Sequence, residues 1–340
     1  MRPPSPPAIN NTATCAEERT PHLFTPRVGP VHIGLDAGVF CGYNGAMQAF
    51  ILGAGLGTRL APLTHILPKL LMPVFDKPLI QHTMDRYLSA GVSEFIVNIS
   101  HLDMMWDVYF HDGSYRGVPV HLSNEQPAPL DSGGGVKKIM PLVHPDEPLL
   151  VHNGDIWTDI DAAELLAAHR RSGRKVTLAL RSVGGKRNVG YDVATGRITD
   201  MRHALGIDPG THQFAGVYIM EPSVAQLFPA EDCFSIVPVW LELIRRGEVG
   251  GVVFDDAMWY ELGTPEDYLN AVLEVPYSRR ISREATVHPD AELSEDCAVG
   301  KGACIPAGCV LEDCIVWPRT HVQPGTYRRC ILTPRIKVQV

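Results

Sequence analysis

No apolar run in the 340 residues approaches the roughly 20 that a membrane-spanning helix needs. No basic stretch interleaves with aromatic residues, and the formal net charge is −8, which argues against a nucleic-acid surface. None of the eight cysteines forms a C-x-x-C pair, and no secretory apolar segment leads the chain, so a reducing cytoplasm is the expected compartment. What remains is an ordinary globular balance, 45% hydrophobic and 20% charged, on a chain long enough for one large α/β domain and a small second one. Such an acidic protein binds anions only through a local positive site or a metal ion.

Residues 1–46 stand apart. Pro3, Pro4, Pro6, Pro7, Pro21, Pro26 and Pro30 crowd them, and no 2- or 3.6-residue apolar period runs through. They read as a disordered or non-native extension, with Met47 as the alternative natural start. From Gln48 the pattern alternates. Strands are predicted over 49–52, 94–99, 118–122, 148–152, 176–180 and 214–220, and helices over 78–90, 102–110, 162–171, 235–246 and 265–275. A hairpin over 191–201 turns at Thr195-Gly196. Asp161 with Glu164 reads as a capping box, and Thr264 caps the last helix with Pro265 at its first position. Alternation of strand and helix implies an α/β fold, Rossmann-like and doubly wound around a mostly parallel sheet, over 47–278.

Residues 279–340 change character. Val287, Leu293, Val299 and Ile305 recur every six residues with Gly, Pro and Ala between them, the spacing of a short left-handed hexapeptide β-helix. Cys297, Cys304, Cys309, Cys314 and Cys330 lie 7, 5, 5 and 16 residues apart, which does not match zinc ligation, so they read as small core residues.

Chemistry concentrates at the predicted strand ends. Gly53-Ala54-Gly55-Leu56-Gly57-Thr58-Arg59 follows the first strand directly, at the sheet edge where ligands of open α/β sheets bind. Glycines there let backbone N–H groups approach phosphate oxygens. The run continues through Leu60-Ala61-Pro62-Leu63-Thr64 to Pro68-Lys69, Pro73-Val74 and Lys77-Pro78. Further on come Leu130-Asp131-Ser132-Gly133-Gly134-Gly135, Asn153-Gly154-Asp155 at a strand end, and Trp259-Tyr260-Glu261-Leu262-Gly263-Thr264.

These elements together resemble the signature of the sugar-1-phosphate nucleotidyltransferases, G-x-G-T-R-L-x-P-L-T followed by P-K and P-V, and the chain is identified as a member of that family, with its mixed-sheet nucleotide-diphospho-sugar transferase fold. The resemblance implies that Gly53, Gly55, Gly57, Thr58, Arg59 and Lys69 hold the NTP phosphates, with Arg59 and Lys69 as the catalytic cations. It implies that Gly133 and Gly134 pass beside the base, and that Asp155 binds Mg²⁺. Glu261 stands where the family carries an aspartate as second metal ligand; it keeps the charge and adds a methylene. Phe214-Ala215-Gly216 resembles the strand on the sugar side, which implies a role there for Gly216, and for Asn188 and Gly190. Asp159 and Asp161 read instead as acceptors at a helix start.

The expected reaction joins a nucleoside monophosphate from an NTP to a sugar 1-phosphate and releases pyrophosphate. Within the family, the core over 47–275 is similar to the N-acetylmuramate 1-phosphate uridylyltransferases. The tail is similar to those of mannose 1-phosphate guanylyltransferases and glucose 1-phosphate adenylyltransferases. UTP with N-acetylmuramate 1-phosphate or a related sugar is the first expectation and GTP with mannose 1-phosphate the second. A catalytically silent nucleotide-sugar-binding regulatory subunit is the rival of another class. A homo-oligomer assembled through the tail is the expected partner arrangement; no nucleic acid or membrane is expected.

Overall fold

The structure is a computed structural model and describes residues 47–340; the reading of residues 1–46 lies outside the described residues. A ten-stranded sheet forms its centre. In chain order its strands are β1 (Met47–Leu52), β2 (Val92–Ile99), β3 (Ser114–Tyr115), β4 (Val118–Asn124), β5 (Leu149–Asn153), β6 (Val176–Arg181), β7 (Val189–Asp192), β8 (Arg197–Met201), β9 (Gln213–Met220) and β10 (Val249–Val253). They stand in the order β7-β8-β10-β6-β9-β5-β1-β2-β4-β3. Six α-helices accompany them: α1 (Leu79–Ser89), α2 (Met104–Tyr109), α3 (Asp131–Ile139), α4 (Ala162–Ser172), α5 (Val237–Arg245) and α6 (Pro265–Glu274). No helix among the described residues is long and apolar enough to cross a membrane.

The sheet is mixed, as the family resemblance implies, and less parallel than the alternation alone suggests. β5, β1, β2 and β4 run parallel, but β9 lies antiparallel between β5 and β6. The segment between β6 and β9 contains the hairpin β7–β8 and no helix, and a strand that returns without a helical crossover runs antiparallel. That hairpin turns through Gly196 at φ +65°, as its sequence implies.

Strand alternation divides the core in two. Met47, Ala49 and Ile51 of β1 face one side and meet Ile80, Met84 and Tyr87 of α1 and Leu165 of α4. Phe50 faces the other, with Val136 and Ile139 of α3 and Trp240 and Leu243 of α5. Helices on both faces make the sheet doubly wound. Asp161 caps α4 by accepting from Ala163 N and Glu164 N, and Gly173 at φ +62° ends it. Thr264 and Asp267 form a reciprocal capping box on α6.

After α6 the chain forms short strands paired in parallel ladders. Thr286–Val287 pairs with Cys304–Ile305, Glu292–Leu293 with Cys309–Glu312, and Ala298–Val299 with Ile315–Val316. Partners lie 18 residues apart at Thr286 and Cys304, and 16 apart at Ile315 and Ile331. Val299, Ile305, Leu311 and Val316 fill the interior between them, with Cys297, Cys309, Cys314 and Cys330 buried and free; Cys304 is half-buried. A third apolar cluster ties this tail to the rest: Leu60 and Leu63 from the signature run, Tyr268 and Val272 from α6, and Ile315, Trp317 and Ile331 from the tail. Trp317 Nε1 donates to Tyr268 Oη at 3.1 Å, and Tyr268 Oη donates to the Pro73 carbonyl. The Arg280 guanidinium donates to the carbonyls of Val272, Leu273 and Val275, satisfying the end of α6.

Candidate active site

The carboxyl ends of β1, β2 and β5 open on a cleft of about 400 Å³. Gly53, Gly55, Gly57, Thr58, Arg59, Lys69 and Asp155 line it, so seven of the residues singled out in the sequence meet in one place. Two of the loop glycines have packing reasons. A Cβ on Gly53 would sit 2.8 Å from the Asn98 carbonyl oxygen; Gly57 stands at φ +61° with Thr64 Cγ2 2.7 Å from where its Cβ would be. Gly55 has no such reason: apart from its chain neighbours no atom lies within 4 Å of its Cβ position, and the residue lines the cleft.

The charges are arranged in two pairs. Lys69 Nζ lies 3.2 Å from Asp155 Oδ2, and Arg59 Nη2 lies 3.7 Å from Glu261 Oε1. Lys69 is 12% exposed and Arg59 63%, so the lysine is packed among its neighbours while the arginine extends into solvent. Glu261 does not line the cleft itself. It ends the strand Trp259–Glu261, which runs antiparallel to Ile156–Thr158 with Glu261 opposite Ile156, and Leu262 N donates to the Asp155 carbonyl at 2.8 Å. Asp155, in the turn before Ile156, and Glu261, at the end of the facing strand, are thus brought next to each other by this strand pair.

Asp155 sits on a braced turn. His152, fully buried, uses Nε2 against the Ile156 carbonyl at 2.9 Å, which makes Nε2 the protonated nitrogen; Nδ1 then accepts from Tyr87 Oη at 2.5 Å. Burial lowers its pKa to about 4, so the ring is neutral and keeps that tautomer at neutral pH.

Besides Glu261, five further predicted residues are not brought into the cleft lining. Gly133 and Gly134 donate to the Phe234 carbonyl, and a Cβ on either would run into Phe234 or the Asp232 carbonyl. Their bareness admits the segment 232–236 over α3. Gly190 makes room for Thr199 of the facing strand and for Asp208 beyond the hairpin, and the Asn188 carbonyl accepts from Arg202 N. Gly216, at φ +84°, packs on Ile156 and Asn153. Asp159, read as a helix-start acceptor, accepts from Met258 N, and Asp161 caps α4.

Sequence reasoning passed over Asn98 and Glu125, which also line the cleft and are almost wholly buried. The signal was present: each is a polar residue at the carboxyl end of a parallel strand, β2 and β4.

A doubly wound mixed sheet carrying a glycine loop, two cations and two carboxylates near its strand ends describes a phosphate-handling transferase of the nucleotide-binding α/β class. Residues 48–277 match the nucleotidyl transferase family, and the chain belongs to it. The mannose-1-phosphate guanylyltransferase of Mycobacterium tuberculosis is 31% identical over 299 residues, 82% of each chain. The N-acetylmuramate alpha-1-phosphate uridylyltransferase of Caulobacter vibrioides is 29% identical over 233 residues, 66% of this chain and 94% of that one. Among solved structures, a UDP-glucose pyrophosphorylase complexed with UDP-glucose superposes with a TM-score of 0.56 at 20% identity, covering 67% of this chain and 97% of that one, which speaks to the fold. HddC from Yersinia pseudotuberculosis does so at 0.55 and 22%, covering 66% and 98%. The chain is an enzyme of the sugar-1-phosphate nucleotidyltransferase type.

Proposed function

We propose that this enzyme transfers GMP from GTP to mannose 1-phosphate. One observation carries the choice: the guanylyltransferase relative aligns over 82% of both chains, beyond the core, whereas the uridylyltransferase relative is 94% covered yet reaches only 66% of this chain. UTP with N-acetylmuramate 1-phosphate is the second reading, supported by the Gly133-Gly134-Gly135 run and the Asn153-Gly154-Asp155 segment of the core.

In this reading the loop 53–59 and Lys69 bind the triphosphate through N–H donors and fixed charge. A sugar-phosphate oxygen attacks the α-phosphorus in line. The new P–O bond forms as the α–β phosphoanhydride bond breaks, and the electron pair leaves on pyrophosphate. The attacking phosphate, with a second pKa of about 6, is largely dianionic and needs no general base. Arg59 swings from Glu261 toward the leaving group, where negative charge grows.

Asp155 and Glu261 are the residues that would hold a divalent cation. Both offer only hard oxygen donors, which suits Mg²⁺, an ion commonly bound by one or two carboxylates plus substrate phosphates. Among the described residues no three acidic, histidine or cysteine side chains gather to hold a metal by themselves. When bound, the ion neutralises charge between the two approaching phosphate groups. The catalytic domain is taken as 47–278 and the tail, 279–340, as a short left-handed hexapeptide β-helix, the surface through which copies associate. Its buried free thiols suit a reducing cytoplasm.

The test is pyrophosphate release with Mg²⁺ over a matrix of GTP, UTP, ATP and dTTP against mannose, glucose and N-acetylmuramate 1-phosphates. The highest kcat/KM falls on GTP with mannose 1-phosphate. A maximum elsewhere overturns the substrate choice, and no release with any pair supports the silent-subunit rival.

A further inference from the structure

Two buried polar side chains join the walls of the cleft. Gly53 N donates to Asn98 Oδ1 at 2.6 Å, Asn98 Nδ2 donates to Glu125 Oε1 at 2.7 Å, and Leu130 N donates to Glu125 Oε2 at 2.8 Å. Asn98 is 2% exposed and Glu125 1%. The polarity of this chain is forced. Its ends are backbone N–H groups, which only donate, so one side chain between them must accept at both ends and the other must accept once and donate once. A carboxylate and an amide meet that demand. Gly135 of α3 is bare for the same reason: a Cβ there would lie 2.8 Å from Asn98 Nδ2 and 2.9 Å from Glu125 Oε1.

The two backbone groups belong to different parts of the cleft. Gly53 opens the glycine loop; Leu130 sits between Pro129 and Asp131, which line the cleft from a separate segment. We propose that Asn98 and Glu125 are positioning residues that set the spacing between these walls, and thereby the fit of the nucleotide. This rests on the reading that the cleft binds an NTP. A buried carboxylate with only neutral donors costs solvation, and that cost is justified where spacing must be held. An apolar pair would leave the Gly53 and Leu130 N–H groups without acceptors.

The test reverses the polarity. Asn98→Asp alone sets two carboxylates against each other at the 2.7 Å contact. Glu125→Gln alone sets an amide N–H₂ against either Asn98 Nδ2 or Leu130 N. The double variant Asn98→Asp/Glu125→Gln restores every bond. The carboxylate introduced at position 98 accepts from Gly53 N and from the amide introduced at position 125, and the oxygen of that amide accepts from Leu130 N. Net charge is unchanged. Each single variant raises the NTP KM about tenfold or more, in proportion to one unmet buried hydrogen bond, and narrows the kcat/KM ratio between NTPs. The sugar 1-phosphate KM stays within about twofold, and the double variant returns the NTP KM to within about threefold of wild type.

Singles that lower Tm while leaving the NTP KM unchanged overturn the proposal, as does a folded double variant no better than the singles. If a single variant does not fold, the double carries the test alone: a wild-type NTP KM upholds the proposal and a tenfold rise overturns it. Wild-type turnover tests the NTP reading separately. Should the wild type release no pyrophosphate, GTP affinity by calorimetry replaces KM in the same comparison, and a wild type that binds no GTP overturns both.

Discussion

Gly55 and Gly134 make opposite demands, and alanine substitution separates them. At Gly55 the backbone is not left-handed and, apart from its chain neighbours, nothing lies within 4 Å of the Cβ position. Alanine there meets no clash and restricts the unfolded chain, which stabilises by about 0.4–1 kcal/mol. In a protein of this size that is a rise in Tm of roughly 0.5–1.5 °C. Gly55 lines the cleft, however, and in the proposed reading phosphate oxygens must approach its backbone, so the added methyl lowers kcat/KM for the NTP by about tenfold or more, that is ~1.4 kcal/mol or more of transition-state stabilisation. At Gly134 the Cβ would lie 2.1 Å from the Asp232 carbonyl oxygen and 2.8 Å from Leu130 Cβ. Helix propensity favours alanine by about 1 kcal/mol, but a backbone oxygen cannot rotate away. The segment 229–232 is also pinned by Lys137, which donates to the carbonyls of Pro229, Ala230 and Glu231. Overpacking of this kind costs about 1–3 kcal/mol, and the clash wins. Scanning calorimetry on both variants, with steady-state kinetics at varied NTP, measures the contrast. A Gly55→Ala variant that melts lower than wild type, or keeps full NTP kcat/KM, refutes the reasoning. So does a Gly134→Ala variant as stable as wild type.

Arg59→Ala lowers kcat at saturating NTP by about 10²–10³-fold with the fold intact, the worth of one fixed donor at a developing anion; a near-normal kcat counts against the loop assignment. Glu261→Gln weakens Mn²⁺ binding measured by paramagnetic resonance and shifts the Mg²⁺ dependence of turnover, with Asp155→Asn the more damaging change; wild-type behaviour in Glu261→Gln sends the search for the second ligand elsewhere. Burial holds His82 and His152 down to about 4, below the ordinary 6.5, so between those values the unfolded chain takes up protons that the folded chain does not. Their stabilisation is complete above pH 6.5 and is lost as pH falls toward 4, by up to about 3 kcal/mol apiece. Guanidinium unfolding at pH 7.5 and 4.5 checks this: His82→Gln loses less stability than wild type on acidification, and parallel losses contradict it. Trp317→Ala empties the buried junction of tail and α6 and costs about 3–5 kcal/mol in denaturant unfolding; a loss below about 1 kcal/mol means the tail is not welded to the core through that residue.

Much of the site was legible because its determinants are local. The run from Gly53 to Pro78 is one stretch of chain, and its glycines and prolines encode backbone demands that hold whatever the rest of the fold does. The cap residues Asp161 and Thr264 act within three residues of themselves. In the tail, Thr286 meets Cys304 and Glu292 meets Val310, short parallel pairings of segments 18 residues apart. Periodicity and turn chemistry are therefore properties of the sequence alone, as is the supply of charge at Arg59, Lys69, Asp155 and Glu261. Which of these charges face one another is not. Lys69 reaches Asp155 across 86 residues, and Asn98 reaches Glu125 across 27, only because parallel strands align in one register. Three consecutive glycines look alike in sequence, yet Gly133 and Gly134 clear a path for the segment 232–236 while Gly135 clears space for a buried hydrogen-bonded pair. Local propensity fixes what each segment can do; strand register and packing, which sum contributions from distant segments, decide which side chains meet, and at the Asn98–Glu125 bridge that choice was made by tertiary structure.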